Sequence, residues 1–149
     1  MTENPPPRPS FGRALGETSR LIKKLHDRAT AGHDTDFPTW MLLTLLAEKR
    51  AALPVADVAR ELDQRMDLGE PDVLRLLGRT AAAGHVAYRS EQEPATAELT
   101  EAGAAHFAAV YADARAATDV AFEDIDPEAL DTALTVLLAA KERAAAALA

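Results

Sequence analysis

Between Pro54 and Gly84 the chain carries two short helical patterns in tandem, and no other stretch narrows the possible folds as far. The first is opened by Pro54 and places Val55, Val58, Ala59 and Leu62 at helical spacing. The second is marked at its start by Gly69 and Pro71. It runs through Val73, Leu74, Leu76 and Leu77, and Gly84 closes it as a left-handed cap. Immediately afterwards His85 to Arg89 and Ala95 to Leu99 have the composition of extended segments, with polar Ser90 to Pro94 between them, so a small β-hairpin is expected.

Long helices flank this unit. Phe11, Leu15, Thr18, Leu21, Ile22 and Leu25 recur at helical spacing over 11–31, while Arg13, Arg20, Lys23, Lys24 and Arg28 occupy the other face. A second helix is expected from Pro38, packing Trp40, Leu43, Leu46 and Ala47 inward until Leu53 and Pro54 break it. Beyond the hairpin, Thr100 is a good N-cap for a helix carrying Ala104, Phe107, Val110, Tyr111, Ala114 and Ala117. Asp126-Pro127-Glu128 joins a cap, a first-turn proline and a dipole-matched acid ahead of Leu130, Leu134, Leu137 and Leu138. The composition agrees with this order, because 33 alanines, 5% aromatics and only seven glycines in 149 residues favour helix over sheet. The first ten residues hold Pro5, Pro6, Pro7 and Pro9 without apolar periodicity and read as a disordered or polyproline arm.

Several functional classes are excluded. With no cysteine there is no disulfide framework, thiolate metal site or cysteine nucleophile. No apolar run approaches the roughly 18–20 residues that cross a bilayer, and the start lacks a basic-then-apolar signal, so a cytoplasmic address without membrane contact is expected. His26, His33, His85 and His106 show no metal-ligand spacing. Asp63-x-Arg-x-Asp67 has a hint of calcium-loop spacing, but such a loop would need glycine and glutamate where this chain has Leu68 and Leu74. No phosphate-cradling glycine loop or nucleophile elbow is present, and neither an enzyme nor a cofactor is expected.

Two short helices, a hairpin and flanking long helices are the parts of a winged helix-turn-helix, in which the second short helix enters the major groove. Pro54-Val-Ala-Asp-Val-Ala-Arg-Glu-Leu62 is similar to the scaffold helix of the MarR family of bacterial transcription regulators, and Val73-Leu-Arg-Leu-Leu-Gly-Arg79 resembles its recognition helix. Gly84 to Arg89 is similar to the family's turn into the wing, and Leu99-Thr-Glu-Ala-Gly103 looks like the Leu-Thr-x-x-Gly that follows it. The resemblance implies one domain over 11–149, mainly α with a small β-hairpin wing. Its winged helix-turn-helix would occupy 38–99, and dimerisation helices 11–31 and 100–149. It also implies a homodimer on a near-palindromic DNA operator, acting as a repressor that responds to a small, often aromatic, ligand. In three places the chain departs from the family: the segment between the two short helices is about one helical turn longer, acids surround the recognition helix, and Ser90 to Glu98 carries no basic residue where the wing usually has a tip arginine.

Arg75 and Arg79 lie four apart, on the helical face opposite Val73, Leu76 and Leu77, where they either fork to guanine, grip phosphate or stand as ordinary surface arginines. Arg89, Arg65 and Arg60 are further phosphate candidates. Trp40 with Arg20, Lys24 or His26 has the chemistry to hold an aromatic acid, against the alternative that Trp40 is core. The C-terminal leucine stripe is either intramolecular core or dimer surface. The net charge of −8 weighs against nucleic acid, yet residues 54–89 hold five basic and six acidic groups, whereas 90–112 hold no basic and four acidic. Residues 113–149 add three basic and eight acidic. The charge therefore predicts a weak, selective DNA binder, and leaves as the alternative a winged-helix protein that has lost DNA and works through protein or small-molecule contacts.

Overall fold

The computed structural model describes residues 7–149, and the chain divides into two compact units, 1–118 and 119–149. Of the proline-rich arm, residues 1–6 lie outside the described residues. Ser10 is already part of the fold, since its side chain accepts from the Arg13 amide at 3.3 Å and caps the first helix.

The first unit contains α1 (Phe11–Ala31), α2 (Phe37–Lys49), β1 (Leu53–Pro54), α3 (Val55–Met66), α4 (Glu70–Ala82), β2 (Val86–Arg89) and β3 (Thr96–Leu99). Most of α5 (Glu101–Asp119) also belongs to it. Local chemistry sets the boundaries. Asp36 caps α2 by accepting from the Thr39 amide at 2.9 Å, with Pro38 in the first turn. Arg50 ends α2 and Asp67 ends α3, both in the left-handed conformation at φ 53°. The additional length between the two short helices is itself helical, because α3 continues to Met66 and only residues 67–69 connect it to α4.

The core is built from Leu42, Leu43, Leu45 and Leu46 of α2, Val58 and Leu62 of α3, Val73, Leu76 and Leu77 of α4, and Val86 and Ala97 of the strands. Leu74, which is not part of the inward stripe of Val73, Leu76 and Leu77, is 39% exposed. Val73, Leu76, Leu77 and Thr80 already fill the inward face of α4, and Leu74 falls outside that arc.

The expected hairpin is present as β2 and β3, and β1 adds a third strand to give an antiparallel sheet in the order β1-β3-β2. Tyr88 pairs with Ala97 inside the wing, and Leu53 pairs with Ala97 from the other side. A two-residue strand is too short to leave an alternating pattern, and Pro54 reads as a helix opener. At the sheet edge its missing amide costs nothing, and the next amide, Val55, donates to the Ala95 carbonyl at 2.9 Å.

The second unit consists of a short 3-10 turn (Val120–Phe122) and α6 (Pro127–Leu148). Pro127 opens α6 as expected, but the Asp126 side chain makes no capping hydrogen bond. No residue of α6 is buried.

Candidate nucleic-acid interface

The α3-α4 pair and the wing form one connected frame. Gly84, at φ 81°, turns the chain out of α4 and into β2. Thr100 fastens the far end of the wing: its hydroxyl donates to the Gly84 carbonyl at 2.6 Å and accepts from the Gly103 amide at 2.9 Å, while its own amide donates to the His85 carbonyl at 3.1 Å. The Leu-Thr-x-x-Gly motif is thus a latch between the root of the wing and the start of α5.

Each of the five candidate arginines is engaged by a carboxylate of its own chain. Arg75 bonds Asp72 one turn earlier on α4. Arg79 reaches back to α2, donating to Asp36 Oδ2 at 2.9 Å and to Thr39 Oγ1 at 3.0 Å. Arg89 pairs with Glu98 across the wing at 2.6 Å, Arg60 with Asp57 at 2.8 Å, and Arg65 with Glu48 at 3.0 Å. Arg75 and Arg79 remain well exposed, at 74% and 59% of their side chains. Such exposed pairs are worth about 0–1 kcal/mol each, so a phosphate is able to displace the carboxylate at modest cost. The two recognition-helix arginines differ in kind: Arg75 is held only by its own helix, whereas Arg79 also ties α4 to the cap of α2.

Asp36 serves both contacts. Its partial burial pushes the pKa up, but the two hydrogen bonds from Thr39 and the charge and hydrogen bond of Arg79 outweigh that and hold the carboxyl below its ordinary value. The Asp72-Arg75 spacing is visible in the sequence. The Asp36-Arg79 pair joins residues 43 positions apart and leaves no local signal.

The aromatic candidate site is brought together only in part. Trp40, His26, Tyr111 and Arg115 line a cavity of about 250 Å³ between α1, α2 and α5, together with Ala114 and Thr118. The indole is stacked with Phe107 at 5.2 Å and Tyr111 at 6.3 Å and meets the His26 ring edge-on at 5.2 Å. Both His26 ring nitrogens are buried without a hydrogen-bond partner, the Asp27 carboxylate standing 3.7 Å from Nδ1. Arg20 and Lys24 are exposed on α1 and do not line this cavity; Arg115, which sequence reasoning did not single out, does.

Tandem short helices, a glycine turn and a latched three-stranded wing define a winged helix-turn-helix. The wider architecture, with its long α1, α5 and α6, is that of the MarR-family transcriptional regulators. A MarR family regulator from Streptomyces coelicolor superposes with a TM-score of 0.71 at 19% identity, over 89% of this chain and 91% of that one. One from Rhodococcus sp. RHA1 gives 0.70 at 16% identity, over 87% and 94%. The apo form of MarR from E. coli gives 0.68 at 13% identity, over 90% and 98%. No protein-family model and no curated protein matches the sequence. Among the described residues no helix is long and apolar enough to cross a membrane.

Proposed function

We propose that this chain is a DNA-binding transcriptional regulator and not an enzyme, working in the cytoplasm as a homodimer on a near-palindromic operator, with α4 in the major groove. The observation that carries this reading is the frame around α4: its apolar side is locked into the core by Val73, Leu76 and Leu77, and its outer side presents exposed Arg75 and Arg79. Arg75 is the reading side chain. Arg79 contacts phosphate and also sets the angle of α4 on α2. Arg89, Arg65 and Arg60 are secondary phosphate contacts, and the wing, with no basic residue from Ser90 to Glu98, contributes little in the minor groove.

Genomic fragments selected with the purified protein, followed by fluorescence anisotropy, test the assignment. Arg75→Ala combined with Arg79→Ala weakens specific binding at least tenfold. A double variant that binds as the wild type does overturns it. The single variants separate the roles, because loss of Arg75 leaves the melting temperature unchanged while loss of Arg79 lowers it.

The regulator is a repressor released by a small aromatic acid in the Trp40 cavity. That space is below the usual range of drug-sized pockets and suits a single ring. His26, with two unpartnered nitrogens, and Arg115 are the groups that face the carboxylate.

The pairing of every candidate arginine with an internal carboxylate favours a second reading, a winged-helix protein that has given up DNA. Under that reading no genomic fragment shows salt-sensitive binding, although the dimer persists.

A further inference from the structure

Three of the four histidines, from three different elements, meet at one cleft of about 360 Å³ in the first unit. His33 stands in the turn after α1, His85 at the entrance to β2, and His106 on α5. The His85 and His106 rings stack face to face, with centroids 4.2 Å apart and planes 12° from parallel. The His33 ring meets His106 edge-on at 6.2 Å.

The proton positions follow from the partners. The hydroxyl of buried Thr35 donates to the His33 carbonyl at 3.1 Å, so it has no second proton and must accept from His106 Nε2–H at 2.9 Å. The carboxylate of Asp113 accepts from His33 Nε2–H at 2.7 Å. Both rings therefore carry a proton on Nε2. Nearly parallel rings do not point their in-plane lone pairs at a common centre, and among the described residues no three His, Asp or Glu side chains are placed to hold a metal ion.

We propose that the stacked His85 and His106 form a proton-sensitive joint, bordered by His33, that ties the root of the wing to α5, closed while the stacked rings are neutral and opened when acid charges them. Two imidazolium rings at this separation repel each other, and the surroundings do little to neutralise them. Asp113 of α5 is committed to His33, and Asp36 at the cap of α2 to Arg79 and Thr39. Arg79 of α4 lines the same cleft and adds positive charge. Asp34, also at the cleft, is exposed and screened by solvent. The His85 backbone is itself clamped by Thr80, Thr100 and Gly103, so the repulsion is relieved by the His85 and His106 rings parting, and the wing root loses its side-chain contact with α5, while a charged His33 stays held to α5 by the Asp113 carboxylate.

The direction agrees. Burial, and then the charges of His85 and His33, hold His106 below its ordinary pKa. The unfolded chain therefore takes up the proton first. The joint is intact above the ordinary histidine value of about 6.5 and loses stability as the pH falls below it. The inference stands whether or not the chain binds DNA.

The test is an NMR titration of the four imidazoles in the full chain from about pH 8 to 5, with melting temperatures measured alongside. His106 is expected to titrate below an unperturbed histidine, and the melting temperature to fall by several degrees between about pH 7.5 and 5.5. His85→Phe keeps an aromatic partner but removes the charge. It should return the His106 midpoint toward the ordinary value and at least halve the acid-side loss. Should that variant fail to fold, His85→Tyr serves in the same way, read again on the His106 ring. If the His106 midpoint does not respond to the loss of the His85 ring, or the acid-side loss is undiminished in the variant, there is no such joint.

Discussion

At Gly103 a Cβ would stand 1.8 Å from the carbonyl oxygen of His85 and 2.7 Å from its carbonyl carbon, where no side-chain atom fits against backbone. The closeness is a product of the Thr100 latch, which draws the first turn of α5 onto the strand-entry segment and uses the Gly84 and His85 carbonyls as its anchors. Gly103→Ala has to push α5 away from the wing or break the latch, and either costs about 3 kcal/mol or more. Urea unfolding should show this as a large fall in the midpoint. Gly78 supplies the control, since a Cβ there meets nothing within 4 Å in the interior of α4. Gly78→Ala should raise stability by about 0.5–1 kcal/mol. If Gly103→Ala is as well tolerated as Gly78→Ala, the latch does not fix the wing.

The elements differ in how much of their role the sequence discloses. The helices were legible because apolar spacing and caps act over a few residues, as Ser10, Asp36 and Thr100 show by capping where their residue type suits them. β1 was not, because two residues carry no period and their pairing with Thr96 and Ala97 is set by a distant segment. For the same reason neither the Arg79-Asp36 bridge nor the gathering of His33, His85 and His106 was readable from spacing. Helix α4 shows local and distant information side by side. Asp72 in its first turn favours the helix dipole and also holds Arg75, one turn on. Under the DNA reading these two effects oppose each other, because the carboxylate that steadies the helix also screens the arginine and repels phosphate. Asp72→Asn should tighten DNA binding about three- to fivefold at low salt, the factor corresponding to release of an exposed pair worth up to about 1 kcal/mol. It should also steepen the salt dependence and lower helix stability by only about 0.3–1 kcal/mol. Anisotropy titrations at two salt concentrations measure both effects; unchanged or weaker binding would remove Arg75 from the contact surface.

For the whole molecule the unresolved account is apolar surface. Phe11, Leu15 and Leu21 of α1 are exposed, and in the separate second unit Leu134, Val136, Leu137, Leu138 and Leu148 of α6 are exposed as well. A helix of 22 residues with no buried side chain gains little from burial within its own unit, and helical propensity alone leaves such a segment marginal. Burying leucines of this kind is worth about 1.5–3 kcal/mol apiece, which makes a second copy of the chain the natural cover in the dimer proposed above. The stretch 113–149 that contains this helix holds eight acidic and three basic groups, most of the excess lying just ahead of α6, so two copies bring like charges together. Salt must then act with opposite sign on the two assemblies. Raising it from about 50 to 300 mM screens the repulsion between subunits and tightens the dimer, while it weakens any contact with DNA phosphate. Sedimentation velocity across that range should show the dimer favoured by salt, and Leu134→Glu with Leu138→Glu should leave a folded monomer at micromolar concentration. A double variant that still sediments as a dimer would place the interface away from α6, and a dimer that loosens with salt would mean that attraction between charges, not burial of this leucine face, holds the subunits together.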